Sequence, residues 1–112
     1  MKTFRINRNK WGRGMGVGEL WNSDNEVGCC LGHITRQHNH CSWEELEGKA
    51  YPKYKNDDYV EDQAKYACPI TNIHTLKAAA KINDNAIISD KEREEKLIKL
   101  MSKHGIKLEF YN

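Results

Sequence analysis

At 112 residues the chain has room for one ordinary domain and one modest core, not for two domains or a large enclosed cleft. Hydrophobic residues make up 38% and charged residues 30%, polar for a globular domain yet above the range of disordered chains. The formal net charge of +2 is too mild to announce nucleic acid, and no apolar run approaches the roughly 18–20 residues that a membrane-spanning helix needs.

The first element, KTFRI at 2–6, reads as a short strand from its β-branched and aromatic content. It opens a basic segment. Residues 1–18 carry Lys2, Arg5, Arg8, Lys10 and Arg13 with no acid, a local +5, whereas the remainder holds 13 basic and 16 acidic residues, a local −3. Such a segment with Phe4 and Trp11 interleaved suits phosphates or an acidic partner. The competing reading is a solvated edge strand whose Lys and Arg discourage edge pairing. The stretch MKTFRINRNKW also lacks the apolar centre of a secretory signal, so the expectation is a soluble, cytoplasmic protein with no membrane partner.

Glycines at 12, 14, 16 and 18 then exclude a helix and weaken a strand, which leaves a loop or a place of close approach. Gly18–Trp21 is expected as a second short strand, and NSDNE as a turn. Helical spacing of Cys30, Leu31, Ile34 and His38 places a helix over 29–38. Gly32 inside it costs about 1 kcal/mol relative to Ala, which implies close packing against another element. Ser42-Trp43-Glu44-Glu45 is a capping box, so 43–47 forms a short helical turn. Residues 50–67 are tyrosine-rich (Tyr51, Tyr54, Tyr59, Tyr66) with an acidic patch at Asp57, Asp58, Glu61 and Asp62. They are expected to form a long loop with a short helix near 58–66.

Ile73, Leu76, Ala79 and Ala80 mark a helix over 71–82, which Asn83-Asp84-Asn85 breaks. Ser89-Asp90-Lys91-Glu92 starts another helix, with Leu97, Ile98, Leu100 and Met101 as its apolar stripe and Gly105 at its stop. Ile106, Leu108 and Phe110 alternate with Lys107 and Glu109 in a final strand. The sum is a small α+β single domain over 1–112. Its short antiparallel sheet includes both terminal strands, and about three helices pack on it.

Four constellations bear on chemistry. Cys29, Cys30, His33, His38, His40 and Cys41 fall within thirteen residues and supply zinc ligand types, but their spacing matches no zinc-finger pattern. Cys29 and Cys30 at a helix start are candidates for an activated thiol with His74 or His104 as base, against the commoner role of small buried residues. Asp84 more simply makes a turn than binds a cation. The anion candidates are Arg5, Arg8 and Arg13 holding phosphates, with Trp11 stacking on a base. On balance no catalytic residue, metal or cofactor is assigned, and Arg5, Arg8, Trp11 and Arg13 stand as the ligand-binding set.

The blocks Trp11-Gly-Arg-Gly14, Leu20-Trp-Asn22 and Gly28-Cys-Cys-Leu-Gly32, followed by Ile82-Asn-Asp84, Ser89-Asp-Lys-Glu-Arg93, His104-Gly-Ile106 and Glu109-Phe110, resemble small uncharacterised proteins encoded by bacteriophages and prophages. The resemblance covers both ends and leaves about 35–80 unmatched. It implies an accessory phage protein that acts inside the bacterial host by binding a host or defence component, with a protein as partner. It carries no reaction and no ligand. The alternatives are a sponge or binder of a nucleotide or nucleic acid through the basic segment, and a zinc-stabilised module or cysteine-dependent enzyme. Binding is preferred over catalysis because only the cysteine argument supplies a catalytic group.

Overall fold

The computed structural model describes residues 1–14, 18–54 and 63–112. In chain order they form β1 (Lys2–Asn7), α1 (Cys30–Asn39), β2 (Tyr51–Lys53), β3 (Gln63–Ala67), α2 (Ile73–Asp84), α3 (Asp90–Ser102) and β4 (Ile106–Tyr111). Short 3-10 turns occupy Arg8–Lys10 and Trp43–Leu46.

The terminal strands do pair, but in parallel, which corrects the antiparallel expectation. Alternation along a strand fixes which side chains face inward and is silent on direction. Both directions are open to strands separated by almost the whole chain, since only a tight hairpin forces the antiparallel one. The parallel register sets Phe4 beside Leu108 and Ile6 beside Phe110 on the core face, and Arg5 beside Glu109 on the outer face. Arg5 Nε and Glu109 Oε2 lie 3.2 Å apart there.

β2 and β3 form a second two-stranded parallel pair. They occupy both ends of the segment expected as a long loop. The helix expected near 58–66 is replaced at Gln63–Ala67 by strand. The acidic patch Asp57, Asp58, Glu61 and Asp62, together with Tyr59, lies outside the described residues. Gly18–Trp21 is not a strand; Trp21 and Asn22 make only isolated bridges, to Glu47 and Val27.

The core collects Phe4 and Ile6 from β1, Leu31 and Ile34 from α1, Leu76 and Ala79 from α2, Leu97 and Met101 from α3, and Ile106 and Leu108 from β4. On α3 the buried row is Arg93, Leu97 and Met101, a four-residue repeat, which leaves Ile98 40% exposed. Local signals set the helix ends. Ser89 accepts a hydrogen bond from Glu92 N at 3.2 Å, Asn72 accepts one from His74 N at 2.8 Å, and the Ser42–Glu45 capping box is complete. Gly105, at φ 75°, turns the chain from α3 into β4.

Gly32 sits where α1 crosses the backbone of Leu20. A Cβ there would overlap the Leu20 carbonyl oxygen and lie 2.7 Å from its carbonyl carbon. Helix propensity alone would make Gly32→Ala stabilising by about 1 kcal/mol. The contact reverses the sign, because backbone on both sides cannot yield cheaply. We expect Gly32→Ala to lower the unfolding free energy by about 1–3 kcal/mol in urea, with an unchanged denaturant slope. A stabilised variant would show that α1 does not lie against Leu20.

Candidate groove between β1 and α1

The basic N-terminal segment divides into two groups. Trp11 is 2% exposed, donates its indole N–H to Asn83 Oδ1 at 2.8 Å, and packs against Phe110 with ring centroids 4.6 Å apart. It has no face to offer a base. Arg8 makes a two-bond fork to Glu94 of α3, at 2.9 and 2.8 Å, and that hydrogen-bonded carboxylate raises its pKa. Arg13 reaches Asp90 Oδ2 at 3.0 Å and the carbonyls of Arg8 and Trp11 at 2.9 and 2.8 Å, with its guanidinium over the Trp11 ring. The Arg13 hydrogen bond, outweighing the opposite effect of burial, holds the Asp90 carboxyl below its usual range. Arg8 and Arg13 therefore form a latch onto α3 and spend their charges on its acids, while Trp11 between them is tied to Asn83 of α2.

Arg5 stands apart from that latch. It lines an open groove of about 570 Å³ with Asn7, Lys10 and Tyr111 on one side and His33, Arg36, Gln37 and Trp43 on the other. Three cations line this groove, and none of its described lining residues is a carboxylate. The helical side is built by spacing. His33, Arg36 and Gln37 at i, i+3 and i+4 share one face of α1, while Cys30, Leu31 and Ile34 face the core.

Each helical residue is held in place. His33 is 3% exposed and lies 2.9 Å from Lys10 O through Nε2. A carbonyl only accepts, so Nε2 carries the proton. Burial lowers the His33 pKa to about 4, so the ring is neutral near pH 7. Arg36 stacks over Trp43 at 4.8 Å, and Trp43 stacks in turn on Trp21 with centroids 4.3 Å apart. Arg36 Nε is buried without a hydrogen-bond partner, and no ion pair to Arg36 occurs among the described residues. Gln37 bonds the backbone of Arg5 on both sides, accepting from its N–H at 3.0 Å and donating to its carbonyl at 2.6 Å.

Of this set, the sequence alone points to Arg5 as a ligand-binding residue, to His33 only as a candidate metal ligand, and to Lys10 only as part of the basic segment. The polar stripe at 33, 36 and 37, with Arg36 seven residues ahead of Trp43, is the signal that points to the rest.

The cysteines give no activated thiol. Burial pushes Cys29 up to about 12 and Cys68 up to about 11, and raises Cys30 well above the ordinary thiol range. The helix-start position therefore loses to desolvation. His38 Nδ1 meets Lys2 Nζ at 3.0 Å, and no cluster of three or more His, Cys, Asp or Glu among the described residues could hold a metal ion. No helix among them is long and apolar enough to cross a membrane. The chain matches no family model, no curated protein and no solved structure.

The buried neutral His33 makes stability pH-dependent. The unfolded chain takes up its proton below about 6.5, the folded chain only below about 4, so the stabilisation is complete above 6.5 and is lost as pH falls towards 4. Denaturant unfolding should show a loss of about 2 kcal/mol between pH 6.5 and 5, at about 1.4 kcal/mol per unit. In His33→Gln, which keeps a donor for Lys10 O but does not titrate, that slope should flatten. An equal slope in the variant would assign the pH dependence elsewhere.

Proposed function

We propose that the protein is a binding module, not an enzyme, and that the β1–α1 groove takes an acidic segment of a partner protein. The observation that carries this is Arg36: a cation with no acid partner among the described residues, fixed on a tryptophan stack, beside Lys10 and Arg5 in a groove whose described lining holds no carboxylate. A fixed guanidinium loses little freedom on meeting a carboxylate, and its fork suits bidentate capture. Arg5 adds to it by exchanging an exposed partner. Its ion pair to Glu109 has side chains 69% and 38% exposed, and such pairs hold weakly against competition. The resemblance to phage-encoded proteins, taken with this reading, makes a host-cell protein the expected source of the segment.

A phosphate-bearing ligand is the second reading. The same Arg36 fork favours it, and it now rests on Arg5, Lys10 and Arg36, because Arg8 and Arg13 are engaged with Glu94 and Asp90. Tight binding of a nucleotide, with weak binding of acidic peptide, would select it.

The test is titration with poly-glutamate across a salt series. We expect Arg36→Ala to weaken binding about tenfold, since a charge-assisted hydrogen bond is worth about 1.5–3 kcal/mol. Arg8→Ala, removed from the latch and not from the groove, should change the affinity little. Equal losses from both variants would mean that only general charge is being read.

A further inference from the structure

The backbone of β1 shows how such a segment would sit. Arg5 turns its N–H and carbonyl away from β4, towards Gln37. By strand alternation the peptide groups of Thr3 and Asn7 point the same way, and those of Phe4 and Ile6 point to β4. β1 pairs with β4 alone among the described residues, and no backbone hydrogen bond from another segment reaches Thr3, Arg5 or Asn7. Among the described residues, Gln37 is thus the one side chain that hydrogen-bonds the backbone of this edge.

That side chain has a particular chemistry. A primary amide presents one acceptor and a donor in the same plane, like a peptide unit. Gln37 satisfies both backbone groups of one residue, as a neighbouring strand would. Its reach from α1 is a removable cover: two hydrogen bonds on an exposed edge, with no ion pair to break.

We propose that the partner's acidic segment binds in extended form, displacing Gln37 and adding to the outer edge of β1 as a further strand. This rests on the groove reading above and fixes the backbone conformation of the ligand. Main-chain bonds to Thr3, Arg5 and Asn7 supply affinity that depends little on sequence. Arg5, Lys10 and Arg36 select carboxylates on the incoming strand, because its side chains alternate between faces. A helical ligand fits worse. It would leave the β1 edge to Gln37 and would need an apolar trough, whereas Trp43 and Tyr111 are the only large apolar surfaces in the described lining.

The test uses the whole protein and two synthetic probes: a short peptide of alternating Glu and Thr, and the same peptide with every backbone nitrogen methylated. Both carry the same charge, and only the first can pair as a strand. We expect the methylated peptide to bind at least tenfold more weakly. In nuclear magnetic resonance spectra of the complex with the first, the Gln37 side-chain amide should move to its free position while the Arg5 amide stays protected from exchange. Gln37→Ala should bind the first peptide severalfold more tightly, and the wild-type comparison stands even where that variant self-associates. Equal binding of the two peptides overturns strand addition and leaves the groove reading intact. Binding of neither overturns both.

Discussion

The fold turns on one buried amide. Asn83, fully buried at the end of α2, accepts from Trp11 Nε1 at 2.8 Å and from Cys30 N at 3.1 Å, and donates to Gly12 O at 2.9 Å. Its own carbonyl accepts from Gly14 N at 2.9 Å. Three places distant in sequence thus meet at one residue: the exit from β1 with the glycine loop that follows it, the start of α1 and the end of α2. Cys29, the N-cap of α1, makes no side-chain capping bond, so Asn83 supplies that bond from 53 residues away. Such a network is strong when complete, because in a dry interior every unmet donor or acceptor is expensive.

The groove follows from that constraint. Asn83 fixes where α1 begins, and Gly32 lets it lie against the Leu20 backbone. α1 then runs beside β1 with His33 near Lys10 and Gln37 near Arg5. The cations are sorted by the same geometry. α3 brings Asp90 and Glu94 to Arg13 and Arg8, and buried Arg93 ties the turn before α3 through the carbonyls of Asn85 and Ile88. Of the groove's cations, Arg36 and Lys10 meet no acid among the described residues, and Arg5 holds Glu109 only loosely. A site of this kind is defined as much by which charges are already answered as by which residues are basic.

Much of the local structure is legible in the sequence because its causes are local. Ser89 and Gly105 bound α3, Ser42 and Glu45 form their capping box, and the IKLEF alternation faces Ile106 and Leu108 inward. The long-range choices are not legible. Nothing in either strand says that β1 and β4 run parallel. Asn83-Asp84-Asn85 looks like a helix breaker, yet α2 continues through Asp84 and uses Asn83 as a core polar hub. Trp11 looks like a stacking platform within a basic arm, and is instead the largest fully buried side chain. For Asn83 and Trp11 the origin is shared: residue type is a local signal, whereas the hydrogen bond between them joins positions 72 residues apart.

Replacing Asn83 probes this dependence most directly. Truncation to alanine strands the Trp11 indole N–H, the Cys30 amide and the Gly12 carbonyl without water, each worth about 1–3 kcal/mol. Denaturant unfolding followed by tryptophan fluorescence should show Asn83→Ala less stable by about 3 kcal/mol or more. A loss below about 1 kcal/mol, as for an ordinary surface asparagine, would contradict the account.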